Sequence, residues 1–191
     1  MTKLDEAILF ATKAHEGMRR KGFNQTFIFH PIEVLSLVEI LTDDEDIKCA
    51  AVLHDTVEDA NINIEEIRNK FGEKVASYVN FESENKRGNI NKDATWLNRK
   101  EEAIEAIRNC NSIGAKMISL CDKLANLRSF HLMYLDKGEE MWKEFHMSDP
   151  LKHYWYYNSM KDAFEELKDT CIYKEYEFMI NSIFSKYFKE D

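Results

Sequence analysis

Residues 50–59 read A-A-V-L-H-D-T-V-E-D. An apolar face formed by Ala50, Ala51 and Leu53 gives way to four side chains that bind metals or move protons: His54, Asp55, Glu58 and Asp59. With about 3.6 residues per turn, a continuous helix puts His54 above Glu58 and Asp55 above Asp59. Three carboxylates then crowd two turns, and bound protons or a divalent cation relieve their repulsion. An imidazole beside carboxylates suits Mn, Fe or Zn, whereas Mg and Ca favour an all-oxygen shell. The competing account is an acidic helix end with one satisfied core histidine.

Two distant positions fit the cation reading. His30 directly precedes Pro31, and proline suits the first position of a helix, so His30 stands at a fixed boundary. Asp122 lies between Cys121 and Leu124 in an apolar helical stretch. A carboxylate there is costly unless paired or bound to a cation, which makes Asp122 the natural fourth ligand. Asn126 follows it by one turn. Arg19, Arg20 and Lys21 concentrate positive charge. They either complement the dipole at the end of a first helix or meet a phosphate.

The elements that carry these residues read as helices throughout. Leu4, Ile8, Ala11, His15 and Met18 recur at intervals of three and four, predicting a helix that ends near Lys21-Gly22, with His15 as a core histidine on its stripe. Residues 31–41 form the second helix. Asp43 or Asp44 caps a third, which runs through the acidic cluster to about Glu58–Ala60. Asn63 and Glu66 have the spacing of a capping box, and the helix they open stops at Gly72. Further helices are expected over 73–81, 94–109, from Gly114 through Leu127, from Asp149-Pro150 onward, and over 172–188. Residues 82–93, E-S-E-N-K-R-G-N-I-N-K-D, have no period and read as a loop that covers a substrate.

Composition sets the class. The chain has 191 residues, two prolines, six glycines and no convincing β alternation, which predicts an all-α fold. A net charge of −9 argues against a broad nucleic-acid surface but allows a small anionic substrate beside a local basic cluster. The four cysteines show no C-x-x-C spacing and read as reduced thiols. No charged-then-apolar leader opens the sequence and no apolar run approaches a membrane span, so a cytoplasmic protein without a membrane partner is expected. The aromatic run Tyr154, Trp155, Tyr156 and Tyr157 fits core packing or a homodimer contact better than base stacking.

In order, His30-Pro31, His54-Asp55, Glu58-Asp59 and Asp122 with Asn126 give an H…HDxxED…D pattern. Around it stand Arg20-Lys21 before F-I-F-H-P, then L-H-D-T-V-E-D, Phe71-Gly72, and D-K-L-A-N-L-R from Asp122 to Arg128. The set resembles the HD-domain metal phosphohydrolases, within them the hydrolase domain of the RelA/SpoT family, and especially its small stand-alone form, over roughly residues 5–165. The resemblance implies a single HD-fold bundle of eight to ten helices over 1–168, with a C-terminal helix at 169–191 packed on it. It implies one Mn²⁺-like ion held by His30, His54, Asp55 and Asp122. Glu58 and Asp59 would position and deprotonate water, Arg20 and Lys21 would meet the base and phosphates, and Asn126 would meet the nucleoside. The implied reaction removes the 3′-pyrophosphate of (p)ppGpp. Where the family carries a tyrosine before its first histidine, this chain has Asn24, Gln25, Thr26 and Phe27, and F-E-S-E-N-K replaces a threonine-bearing stretch. Other phosphatase substrates, such as the NADPH 2′-phosphate or a nucleoside monophosphate, therefore stay open, as does a non-catalytic nucleotide-binding module.

Overall fold

The computed structural model describes residues 1–20, 22–83 and 92–188, with 92–94 as backbone only. Lys21 and positions 84–91 of the expected loop lie outside the described residues. Every regular element among the described residues is helical, apart from one isolated antiparallel bridge between Arg19 and Thr26. None of these helices is long and apolar enough to cross a membrane. The chain divides into two compact units, Met1–Glu84 with Ser112–Asp122, and Asn85–Asn111 with Lys123–Asp191.

The first unit is built around α3 (Glu45–Leu53), against which α1 (Lys3–Ala14), α2 (Phe29–Leu41) and α6 (Glu73–Glu82) pack. Asp44 caps α3, its carboxylate accepting from the Asp46 amide. From Cys49 to Leu53 every residue is fully buried, and the small Ala50 and Ala51 let neighbouring backbones approach. Between α3 and α6 run α4 (Thr56–Asp59) and α5 (Ile64–Phe71). Asn63 caps α5 by accepting from the Glu65 amide.

Several boundaries differ from the sequence reading: α2 opens at Phe29, so Pro31 is its third residue and not its first, and the helix expected to run through Leu127 continues to Lys137. The first helix ends at Ala14, because Gly17 takes φ 76° and turns the chain into the bridged strand pair around Arg19 and Thr26. Arg19 and Arg20 therefore lie beyond the last turn of α1 and do not complement its dipole. The third helix breaks at His54-Asp55 instead of running to Asp59. There the His54 ring Nδ1 bonds the Ala51 carbonyl at 2.8 Å, and Thr56 Oγ1 donates to the Leu53 carbonyl at 2.7 Å. Side chains thus engage carbonyls of the last turn of α3.

Helix α8 (Ile113–Lys137) begins in the first unit, and Asp122 closes its share there. Gly114 is a point of close approach: a Cβ there would stand 2.7 Å from Tyr78 Oη and 2.8 Å from Ile47 Cδ1. The glycine sets how closely the helix bearing Asp122 lies on α3 and α6.

The second unit contains α7 (Lys92–Arg108), α9 (Pro150–Ala163), α10 (Cys171–Phe184) and the remainder of α8. Its core is aromatic. Tyr156 and Tyr157 are buried, and the Tyr176 hydroxyl donates to the Tyr157 carbonyl at 2.9 Å. His153 lies among Trp96, Phe130, Trp142 and Phe145. Burial pushes its pKa down to about 4, so it packs as a neutral ring. Arg128 holds Glu175 through two bonds of 2.7 and 2.9 Å.

Replacing Gly114 tests the approach of α8. Alanine gains at most about 1 kcal/mol of helix propensity, less in a first turn, while overpacking costs about 1–3 kcal/mol. Gly114→Ala is therefore expected to lower the melting temperature by a few degrees, on the scale of about 2–4 °C per kcal/mol for a chain of this size. A raised melting temperature would mean that Tyr78 and Ile47 swing aside at no cost.

Candidate metal centre

Three elements of the first unit bring the ligand candidates together. His30 sits in the first turn of α2, His54 and Asp55 form the step between α3 and α4, and Asp122 comes from α8. His30 is 4 % exposed and His54 2 %, so both imidazoles lie inside the protein. His30 Nε2 stands 3.0 Å from Asp122 Oδ1 and 3.5 Å from Asp55 Oδ2. His54 Nε2 stands 3.1 Å from Asp55 Oδ1 and 3.7 Å from Asp122 Oδ1. Donor atoms sharing a cation at about 2.1 Å are about 3.0–3.4 Å apart at octahedral or tetrahedral angles. The spacings suit such a cluster.

Orientation points the same way. Nδ1 of His54 is tied to the Ala51 carbonyl, which leaves Nε2 to face the carboxylates. Although close to both, this buried Nε2 makes no hydrogen bond to either, so the donor groups converge on the space between them. Asp55 occupies the N-cap of α4, where aspartate ordinarily accepts from the next turn's amides. Its carboxylate makes no such bond and turns to the imidazoles instead. Among the described residues, ligand atoms of His30, His54 and Asp122 lie within 4.8 Å of one another, a group able to hold a divalent ion.

The charges are coupled. Burial opposes a charge on His54, but Asp55 and Asp122 outweigh it and hold the imidazole pKa well above its usual value. Burial likewise works against ionised Asp55, yet the field of His54, helped by His30, holds its pKa down at about 2. A proton on His54 therefore plays the part of a cation between the two aspartates.

Of the other candidates, Glu58 and Asp59 lie on α4, just past the ligand step, but not stacked above His54 and Asp55 on one continuous helix as the spacing had suggested. Arg20 follows the bridged residue Arg19, with its guanidinium carbon 5.9 Å from the centre of the Phe27 ring. Lys21 lies outside the described residues. Asn126 is one turn beyond Asp122 on α8. His15 is buried, bonds the Ala11 carbonyl through Nδ1 at 2.9 Å, and stacks on Phe27 at 4.8 Å. Burial lowers its pKa. The sequence reading passed over two residues that shape the site: Thr56, fully buried, whose hydroxyl helps end α3, and Phe27, which touches both His15 and His30. A hydroxyl residue directly after the H-D step was the available signal for the first. Nothing in the spacing marked the second.

Comparisons with known proteins agree with this architecture. A family model described as an HD domain matches residues 7–143. The Danio rerio guanosine-3′,5′-bis(diphosphate) 3′-pyrophosphohydrolase MESH1 is 37% identical over 130 residues, which cover 66% of this chain and 68% of that protein. The enzyme of the same name from Aquifex aeolicus, without the MESH1 label, is 31% identical over 184 residues; they cover 95% of this chain but only 26% of that protein. This chain thus spans about a quarter of the length of that bacterial relative. A solved structure of a metazoan ortholog of SpoT, described as hydrolysing ppGpp, superposes with a TM-score of 0.72 at 25% identity, over 98% of this chain and 96% of that one. The match to the HD-domain model covers most of the chain and settles the kinship: this protein belongs to the HD-domain family.

Proposed function

We propose that this chain is a metal-dependent 3′-pyrophosphohydrolase of guanosine tetra- and pentaphosphate, working with Mn²⁺ and releasing pyrophosphate with GDP or GTP. The observation that carries the reading is the meeting of His30, His54, Asp55 and Asp122, drawn from three separate stretches of chain. The likeness to relatives named for that reaction supports the choice of substrate.

His30, His54, Asp55 and Asp122 would hold the ion; two imidazoles with two carboxylates make a borderline donor set that suits Mn²⁺. A divalent ion there supplies charge withdrawal from phosphoryl oxygens and lowers the pKa of water. The protein's own part is proton transfer and positioning. Glu58 and Asp59 on α4 offer carboxylates directly beyond the ligand step, where one takes the proton of the attacking water. Water adds its hydroxyl to the pyrophosphate phosphorus as the bond to the ribose 3′ oxygen breaks, and that oxygen gains a proton. Arg20 offsets the phosphate charge, which a chain of net charge −9 otherwise repels.

Three outcomes test the proposal. With Mn²⁺, a panel of ppGpp, NADPH and nucleoside monophosphates is expected to yield pyrophosphate from ppGpp, and Asp55→Ala to yield none. Orthophosphate from NADPH or a monophosphate, with ppGpp untouched, would replace this reading by another phosphatase activity; binding without turnover would leave a nucleotide-binding module. Glu58→Gln is expected to keep its metal and lose about 100- to 10,000-fold in turnover, the usual weight of a general base. Full activity in that variant removes Glu58 from the chemistry.

Metal binding carries its own pH signature. The raised pKa means that His54 holds a proton in the metal-free protein near neutrality, and a cation must displace it. Mn²⁺ binding at pH 7 is expected to release a proton, and affinity to fall about tenfold for each unit that the pH drops below that pKa. Calorimetry in buffers of different ionisation enthalpy measures the release. A buffer-independent heat contradicts the His54 assignment.

A further inference from the structure

We propose that Phe27 is the positioning residue of this site, its one ring fixing both His30 and Arg20. The inference deepens the reading above and rests on it for the roles of those two residues.

The argument starts from an asymmetry between the two histidines. A metal-binding imidazole is ordinarily oriented by a hydrogen bond from its second nitrogen. His54 has that bond, to the Ala51 carbonyl. His30 does not: its Nδ1 is buried and has no hydrogen-bond partner among the described residues. Besides the contact of Nε2 with Asp122 at 3.0 Å, ring contacts set its angle. Phe27 meets it edge to face at 6.3 Å and 84°, and His54 meets it at 5.3 Å and 68°.

Phe27 can hold another ring only because it is held itself. Its amide donates to the Met18 carbonyl at 3.0 Å. Its face stacks on His15 at 4.8 Å and 20°, and His15 is anchored to the Ala11 carbonyl of α1. Burial keeps that imidazole neutral, so the two rings stack flat without a charge to solvate.

The same ring also carries Arg20. The bridge between Arg19 and Thr26, with the Arg20 amide donating to the Gln25 carbonyl at 2.9 Å, folds residue 20 back over residue 27. The guanidinium carbon lies 5.9 Å from the ring centre, within cation–π reach. Guanidinium N–H groups pair with phosphate oxygens, and a ring contact of this kind orients the plane that carries them. What the site needs at position 27 is a flat ring, not a hydroxyl.

The test compares Phe27→Leu and Phe27→Met, which remove the ring, with Phe27→Tyr, which keeps it. Circular dichroism and melting temperature establish that each variant folds. Mn²⁺ titration without nucleotide is expected to show about 10- to 100-fold weaker binding in the ring-less variants, the usual loss when a metal ligand's support is removed, and wild-type affinity in Phe27→Tyr. KM for ppGpp is expected to rise about 2- to 5-fold in Phe27→Leu, matching a lost cation–π contact, with no further rise when Arg20→Ala is already present. Unchanged Mn²⁺ affinity in folded Phe27→Leu or Phe27→Met overturns the inference. So do multiplying effects of Phe27→Leu and Arg20→Ala, or a failure of Phe27→Tyr to recover. Because metal affinity is read without nucleotide, a wild type that binds Mn²⁺ but spares ppGpp sinks the proposed function and leaves this inference standing on its own result.

Discussion

Everything in the first unit answers to one electrostatic constraint: in an enclosed place, the ring nitrogens of two histidines lie 3.0–3.7 Å from carboxylate oxygens of two aspartates. A buried carboxylate costs several kcal/mol unless an opposite charge meets it, and leaving one member of such a group unpaired costs about 3–5 kcal/mol. The protein meets that cost without a metal by charging His54, whose raised pKa and the depressed pKa of Asp55 are two sides of one interaction. A divalent ion replaces the proton and can balance both carboxylates at once. The cluster is thus a poor structural core and a good receptor for a cation.

The scaffold is organised to make that cluster rigid. A long α3 continued through Asp59 would have turned His54 and Asp55 onto neighbouring faces of a single rod. Ending the helix at Leu53, with the His54 ring and the Thr56 hydroxyl bonded to carbonyls of its last turn, aims both side chains at α2 and α8 instead. Gly114 then lets α8 lie close enough for Asp122 to reach both imidazoles. Each candidate ligand is placed by a feature of the backbone: a first turn at His30, a helix break at His54-Asp55, a close approach upstream of Asp122.

This explains why some of the site was legible in the chain and some was not. Residue type and apolar context marked the candidate ligands. Asp122 stood in an apolar stretch where a carboxylate needs a reason, and His30 preceded a proline that fixed its place. The all-helical class followed from composition and spacing. The break within the acidic cluster did not, because it depends on a threonine hydroxyl competing with backbone amides for a carbonyl, and periodicity is blind to that competition. The end of α1 was misplaced for a related reason: Met18 continues the apolar stripe in sequence, but Gly17 at φ 76° has already left the helix. Phe27 was hidden more deeply. Its contacts join residues 15, 20 and 30, and only the bridge between Arg19 and Thr26 brings them together.

The charge balance gives the site an order of events. A polyphosphate approaching the unmetallated cluster meets Asp55 and Asp122, with Glu58 and Asp59 beyond them on α4, in a chain already at −9. At about 5 Å and an effective dielectric near 20, each pair of like charges repels by about 3 kcal/mol. Arg20 alone cannot offset several such pairs, and the proton on His54 is spent on the aspartates. For the proposed substrate, tight binding therefore has to wait for the cation. On the proposed reading, Glu58 and Asp59 would serve as bases only once a cation offsets the repulsion that they add against the nucleotide. A centre with its cation held by the two histidines and two aspartates, and with Glu58, Asp59 and Arg20 in the roles proposed for them, would bind the anion and draw a proton from water beside it.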